Sequence, residues 1–233
     1  MWRLIKKQIP NTITCCNLLA GIVAIIFAFH ADEWFGGLTG REWAYICIGA
    51  AAVFDFADGA CARALRAYSD IGKELDSLAD LVSFGVAPAL LLFNLVDNWG
   101  CWASLLIAIF GALRLARFNV DTRQTTTFIG LPIPANAIFW IGYTAWIAAH
   151  GIPAGWAVAV VVVLESLLME SGMRMFSLKF KNFDWRENFR RYAIIVAAIL
   201  FVAINGIEGL MWTIIFYLLM SAGMNRHQDQ AEA

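Results

Sequence analysis

Long runs of apolar residues, separated by short polar segments, extend along almost the whole chain. A helix that spans the hydrocarbon core of a bilayer needs about 20 mostly apolar residues. The runs therefore predict an all-α integral membrane protein with about eight transmembrane helices. The predicted spans cover residues 9–31, 43–65, 73–96, 99–117, 133–149, 153–172, 190–206 and 209–224.

Two pairs of predicted spans are separated only by short, glycine-containing segments. The fifth and sixth spans lie in a charge-free stretch, residues 124–164, which His150-Gly151-Ile152-Pro153 interrupts. Gly and Pro end helices readily, so this tetrapeptide predicts a helical hairpin. Residues 205–209 separate the last two spans. No linker or repeat divides the chain, and we expect a single membrane-embedded domain over residues 1–233.

Composition agrees with a membrane environment. Hydrophobic residues make up 61% of the 233 residues and charged residues 15%, whereas a soluble domain carries about 25% charged residues. The five cysteines include no CxxC pair, which argues against a disulfide framework or a zinc site. The net charge of −1 does not indicate nucleic-acid binding, and no nucleic-acid partner is expected.

The distribution of Lys and Arg predicts the orientation of the chain. With a cytoplasmic N-terminus and alternating loops, 16 of the 17 basic residues lie on the cytoplasmic side, and only Arg41 lies outside. Basic residues accumulate on that side of membrane proteins. We therefore expect a multi-pass protein of the cell (inner) membrane with both termini in the cytoplasm. The first apolar run, residues 8–31, is too long for the apolar part of a signal peptide, so we interpret it as the first span.

Four aspartates dominate the polar residues of the second and third spans. Asp55 and Asp58 are separated by one helical turn, as are Asp76 and Asp80, so each pair lies on one helical face. The connection between the two spans, residues 64–71, is short. It predicts that the two helices are antiparallel neighbours and that the four carboxylates converge near the cytoplasmic end.

Four carboxylates within a membrane protein repel one another unless cations balance them. Oxygen ligands suit Mg²⁺ or Mn²⁺, and four carboxylates can hold two such ions about 3.5–4 Å apart, as in phosphoryl-transfer sites. The alternative is a proton or cation pathway, since intramembrane acids also serve transport. That alternative does not explain the spacing of the adjacent small and basic residues, namely Gly59, Ala62, Arg63 and Gly72.

These positions together form the pattern D-x2-D-G-x2-A-R-x8-G-x3-D-x3-D, from Asp55 to Asp80. The pattern resembles the signature of the CDP-alcohol phosphotransferase family at all eight of its fixed positions. The resemblance implies a dimeric helical membrane protein whose six-helix catalytic core opens a polar cavity to the cytoplasm. It also implies metal ligation by the four aspartates, binding of a CDP-lipid at Gly59, Ala62, Arg63 and Gly72, and Asp80 as the general base.

Further segments look like the bacterial and archaeal type of phosphatidylserine synthase. They are Pro10-Asn11 with Asn17, and residues 74–88, 113–119, 130–134 and 169–179. This likeness covers residues 8–181, whereas the two additional helices at 190–224 carry no motif. It implies that CDP-diacylglycerol and L-serine react to give phosphatidylserine and CMP. The alternatives are another acceptor, glycerol 3-phosphate or inositol phosphate, and a cation transporter.

Several polar residues outside the signature are candidates for substrate binding. Asn11 and Asn17 of the first span could meet the nucleotide, or could form hydrogen bonds between helices. The acceptor could contact residues that share a face with the aspartates or end the fourth span; these are Ser83, Arg114, Arg117 and Asn119. For the two arginines, the alternative is an ordinary basic helix end. Glu165, inside the sixth span, is a functional candidate without an evident partner, and Glu170 stands where the resemblance leads us to expect an apolar residue.

Overall fold

Helices make up most of the protein in the computed structural model, which describes residues 2–120, 128–175 and 184–232. The helices are α1 (Trp2–Phe29), α2 (Gly40–Leu65), α3 (Asp70–Asp80), α4 (Ala87–Leu95), α5 (Leu105–Val120), α6 (Ile133–His150), α7 (Gly155–Glu170), α8 (Trp185–Asn205) and α9 (Gly209–Glu232). A π-helical turn, Leu81–Val86, joins α3 to α4. Turns of 3₁₀ helix, Trp99–Ser104 and Gly206–Glu208, precede α5 and α9.

Five helical stretches of the described residues are long and apolar enough to cross a membrane. They are Gln8–Phe29, Gly40–Leu65, Asp70–Leu95, Trp99–Val120 and Asn188–Gly223. The first four correspond to the first four predicted spans, and the fifth includes both of the last two. This confirms an all-α integral membrane protein. Because α6 and α7 are not among the five stretches, the count of eight spans stays a prediction.

A short hairpin connects α1 to α2. Its strands, β1 (Trp34–Phe35) and β2 (Leu38–Thr39), pair antiparallel across Gly36 and Gly37, whose φ angles of +58° and +95° are easily adopted only by glycine. Thr39 then caps α2 through a reciprocal pair of hydrogen bonds with Glu42. The two helices consequently run antiparallel and in close contact.

The turn between α2 and α3 is equally short. Arg66 adopts a left-handed conformation with φ +50°, and its N–H bonds back to the carbonyls of Ala62 and Arg63. Ser69 then caps α3 by accepting a hydrogen bond from the Gly72 N–H at 3.0 Å. Helix α1 packs against both of these helices, and the backbones of α2 and α3 make little contact with each other. The gap between α2 and α3 leaves room for polar side chains.

The remaining helices complete the bundle around two apolar clusters. One surrounds Trp140 of α6 and includes residues of α4, α5, α7 and α9; the other joins α1, α2 and α4 around Phe84. β3 (Phe128–Ile129) pairs antiparallel with β4 (Arg174–Met175) next to the end of α7. The final helices α8 and α9 pack on each other, and α9 lies against α6.

Candidate metal site and adjoining cavity

Three of the four predicted carboxylates meet in one place. Asp55 of α2 and Asp76 and Asp80 of α3 each offer a carboxylate oxygen, and these oxygens lie within 4.8 Å of one another. The one-turn spacing of Asp76 and Asp80 places both on the face of α3 that looks toward α2. The convergence thus bridges the gap between the two helices through side chains alone.

Helix α1 supplies the hydrogen bonds that position the other side of this cluster. Asn17 is fully buried and donates from Nδ2 to Asp80 at 3.1 Å. Thr14 donates from Oγ1 to Asp58 at 2.6 Å. Asp58 therefore lies beside the three-carboxylate group, engaged with α1, and is close enough to interact electrostatically with Asp76 and Asp80.

The donor set fits a divalent cation. Three acidic side chains present hard oxygen atoms around one point, and this is the ligand type that Mg²⁺ and Mn²⁺ prefer. Asp76 Oδ1 is buried and has no hydrogen-bond partner within the described part of the chain. A buried carboxylate oxygen without a partner is costly, and metal ligation would remove that cost.

A cavity of about 210 Å³ adjoins the carboxylates. Its lining includes six residues that the sequence analysis singled out: Asn11, Asp58, Gly59, Ala62, Gly72 and Asp76. A side chain at Gly72 would come within 2.9 Å of the Asn11 amide oxygen, so glycine keeps this entrance open. Arg63 lies next to the cavity, because its guanidinium would be 3.3 Å from a Cβ atom at Gly59.

Sequence reasoning missed three lining residues in the turn that leads into α3. Tyr68, Ser69 and Lys73 all border the cavity. A serine just before an amphipathic helix is a recognisable capping signal, and it indicates that the N-terminus of α3 opens on this space. Backbone N–H groups at such an end attract anions.

The predicted acceptor residues are placed in different surroundings. Ser83 is fully buried in the π-helical turn and donates to the Asn17 carbonyl at 3.0 Å. Asn119 donates from Nδ2 to Ser77 Oγ at 2.9 Å, and its carbonyl accepts from Lys73 Nζ at 2.9 Å. Arg117 forms an ion pair of 2.9 Å with Glu170. Arg114 is buried, and its guanidinium carbon is 6.0 Å from the centre of the Phe118 ring.

Glu165 is also buried, on α7, and its Oε2 has no hydrogen-bond partner among residues 2–120, 128–175 and 184–232. It lies on a different helix from the aspartates. Within the segment 169–179 that carried part of the resemblance, residues 176–179 lie outside the described residues.

Comparison with known families agrees with this geometry. The family model described as CDP-alcohol phosphatidyltransferase matches residues 7–169, which include every aspartate of the cluster. The chain belongs to the CDP-alcohol phosphatidyltransferase family.

Curated relatives refine the comparison. A CDP-diacylglycerol–serine O-phosphatidyltransferase of Mycobacterium tuberculosis is 37% identical over 180 residues, covering 72% of this chain and 60% of the relative. The protein of that name from Methanocaldococcus jannaschii is 36% identical over 71% of this chain and 72% of its own length. That of Helicobacter pylori strain J99 is 30% identical over 90% of this chain and 87% of its own length. The chain therefore spans less than two thirds of the mycobacterial relative and most of the Helicobacter one.

Proposed function

We propose that this chain is a membrane enzyme that transfers the phosphatidyl group of CDP-diacylglycerol to L-serine, giving phosphatidylserine and CMP. The observation that carries the proposal is the convergence of Asp55, Asp76 and Asp80 beside a cavity. Family membership supports phosphatidyl transfer, and the names of the relatives support serine as the acceptor.

Two Mg²⁺ or Mn²⁺ ions would be held by Asp55, Asp76 and Asp80, with Asp58 as the fourth ligand. When bound, such ions neutralise a diphosphate and stabilise the phosphate that leaves. The unpartnered oxygen of Asp76 supports its assignment as a ligand. Asp58 would need to share its carboxylate between an ion and Thr14, which its two oxygen atoms allow.

In the proposed reaction, Asp80 accepts the proton of the serine hydroxyl group. The serine oxygen forms a bond to the phosphorus atom that carries diacylglycerol. The bond between that phosphorus and the oxygen of CMP breaks, and CMP leaves with the electron pair. The hydrogen bond from Asn17 uses one acceptor site of Asp80 Oδ1, so the carboxylate keeps sites for both a metal ion and the proton.

The nucleotide part of the substrate would occupy the cavity. The small side chains of Gly59, Ala62 and Gly72 leave space in the cavity for the nucleotide. Asn11 offers an amide group at the entrance. The N-terminus of α3 and the guanidinium of Arg63 suit the negative diphosphate. The lipid chains would remain in the bilayer, beside the bundle.

The acceptor would approach from the side of α5. Arg114 and Arg117 offer guanidinium groups that bind a carboxylate or a phosphate in the same fork geometry. This pair is the observation that favours the second candidate, the same chemistry with glycerol 3-phosphate or inositol phosphate. A cation transporter remains the alternative from another class.

We further propose that both termini and the cavity face the cytoplasm of the inner membrane, and that the protein is a homodimer. The separation of 16 of 17 basic residues onto one side supports the orientation. The resemblance to the family supports the dimer.

A CMP-release assay tests the function. The purified protein in detergent–lipid micelles receives CDP-diacylglycerol, Mn²⁺ and one of serine, glycerol 3-phosphate or inositol phosphate, and the lipid product is identified by mass. We expect release of CMP and formation of phosphatidylserine when serine is the acceptor, and no release with the other two acceptors. Release with a phosphorylated acceptor instead would establish the second candidate. No CMP with any acceptor, together with ion flux in liposomes, would establish transport.

A further inference from the structure

Glu170, the last residue of α7, forms an ion pair with Arg117 of α5. Its Oε2 is 2.9 Å from Arg117 Nη1. The acid is the more buried partner: the side chain of Glu170 is 15% exposed and that of Arg117 is 64% exposed. The helix dipole disfavours a carboxylate at the C-terminal end of a helix. Contacts with other segments of the protein must therefore hold Glu170 in this position.

The surrounding backbone provides that support. Gly130, with φ +76°, lies so close to the carbonyl of Met169 that a Cβ atom would overlap it. Leu131 donates its N–H to the carbonyl of Leu168 at 3.0 Å. Gly100, near the start of α5, would bring a Cβ atom within 2.8 Å of the Gly155 Cα at the start of α7. The end of α7 is therefore held against the segment before α6, its start is held against the turn before α5, and α5 and α7 pack on each other.

The second arginine, Arg114, lies one turn before Arg117 and is 8% exposed. Its Nε is buried with no hydrogen-bond partner in the part of the chain that the structure describes, and the same holds for Glu170 Oε1. Glu170 and Tyr217 of α9 are both close enough to interact electrostatically with Arg114. Arg114 thus keeps a hydrogen-bond donor available for a ligand, whereas Arg117 is engaged in its ion pair with Glu170.

Arg114 also faces the carboxylate cluster. Two contacts join α5 to the stretch that runs from α3 into the π-helical turn. Asn119 forms a hydrogen bond with Ser77. At the other end of these two stretches, a Cβ atom at Gly111 would lie 3.8 Å from the Gly85 Cα. Arg114 lies between Gly111 and Asn119, and Asp80 lies between Ser77 and Gly85. The two antiparallel segments therefore place Arg114 opposite Asp80.

On the basis of the proposed function, we propose that Glu170 determines which acceptor the site takes. Glu170 occupies Arg117 and leaves only Arg114 to bind the anionic group of the acceptor. One guanidinium balances the single charge of an amino-acid carboxylate, whereas a phosphate monoester carries about −1.5 to −2 at neutral pH. Glu170 is then a positioning residue that favours serine over phosphorylated alcohols.

The test is the ratio of kcat/KM for serine to kcat/KM for glycerol 3-phosphate, measured by CMP release. Glu170→Gln removes the charge at nearly constant shape and frees Arg117. We expect the ratio to fall about tenfold, chiefly through a lower KM for glycerol 3-phosphate. Adding Arg117→Gln to this variant should abolish the gain with glycerol 3-phosphate. Glu170→Asp, which keeps the charge, should retain the preference for serine.

Glu33→Gln is the matched control, because it removes an exposed glutamate from the α1–α2 hairpin, and its ratio should equal that of the wild type. An unchanged ratio in Glu170→Gln that still binds CDP-diacylglycerol would overturn the proposal. If that variant does not fold, Arg117→Gln decides: Glu170 would then compete for Arg114, and an unaltered serine KM would contradict the inference. A wild-type protein inactive with every acceptor would refute the proposed function itself, which is a different outcome.

Discussion

At the scale of single residues, the site depends on how each carboxylate is engaged. Asp80 is buried and accepts a hydrogen bond from Asn17, whereas Asp76 is half-buried and has one buried oxygen that no described residue satisfies. Asp58 is bound by Thr14 outside the three-carboxylate group. The four acids that share one motif therefore have different environments, and their substitution should have different effects.

Asp80→Asn tests the proton-accepting role. The amide keeps the shape of the side chain and one oxygen atom, so the helix and the contact with Asn17 should persist. A positioned base contributes about 10²–10⁴-fold to rate, and we expect CMP release to fall by that factor. Affinity for CDP-diacylglycerol at saturating Mn²⁺ should weaken only modestly. Equal losses of turnover and binding would make Asp80 chiefly a metal ligand.

Asp76→Asn tests the metal site. We expect Mn²⁺ binding, followed by calorimetry, to weaken by at least about tenfold, because the variant replaces an anionic ligand with a neutral one. Turnover should be lost, and exhaustive chelation should abolish wild-type turnover. Asp97→Asn, an exposed aspartate between α4 and α5, should leave Mn²⁺ affinity unchanged. Wild-type affinity in Asp76→Asn would remove this residue from the site.

At the scale of elements, α1 holds the catalytic region together. It packs between α2 and α3 and supplies both Thr14 and Asn17. Its contact with the π-helical turn is unusually close at Gly21, where a Cβ atom would lie 2.7 Å from the Ser83 Cα. The same turn follows Asp80 directly, so the position of α1 affects the orientation of the carboxylates.

Gly21→Ala should therefore destabilise the protein. Overpacking of a tight contact costs about 1–3 kcal/mol, and we expect a lower midpoint of thermal unfolding in detergent together with weaker Mn²⁺ binding. Gly49→Ala is the matched control on α2, because no other helix in the described part of the chain has an atom within 4 Å of a Cβ atom there. Its midpoint should be unchanged or higher, since alanine favours helix over glycine. Equal midpoints in the two variants would show that the α1 contact tolerates a methyl group.

At the scale of the whole molecule, the bundle places its chemistry at the end where α2 turns into α3. The short hairpin between α1 and α2 precedes the start of α2, at the opposite end of that helix, and the Gly151 turn joins α6 to α7. Helices α8 and α9 follow the residues matched by the family model, yet α9 packs on α6 and brings Tyr217 near Arg114. Helix α9 thus belongs to the surroundings of the proposed acceptor site.

The proposed orientation of the bundle predicts where labels can react. A cysteine appended after residue 233 should resist a membrane-impermeant maleimide in intact cells and react after the cells are opened. A cysteine at Trp34, which is 71% exposed in the α1–α2 hairpin, should react from outside. Both measurements need a background in which the five native cysteines are replaced. Labelling of the C-terminal cysteine in intact cells would reverse the proposed topology.

The sequence alone determined features that depend on local geometry and solvent preference. Apolar runs predicted the helices, since a chain without water must satisfy its backbone hydrogen bonds internally. The spacing of Asp76 and Asp80 placed them on one face, because an α-helix has 3.6 residues per turn. The tendency of Gly and Pro to end helices correctly predicted the break between α6 and α7.

Only the tertiary structure decided which faces meet. It placed α1 against both α2 and α3, and it assigned Thr14 and Asn17 to the aspartates. It paired Arg117 with Glu170, 53 positions later, and tied Asn119 to Ser77. Such contacts depend on how whole helices fill space around one another, and no spacing within a single helix encodes that arrangement.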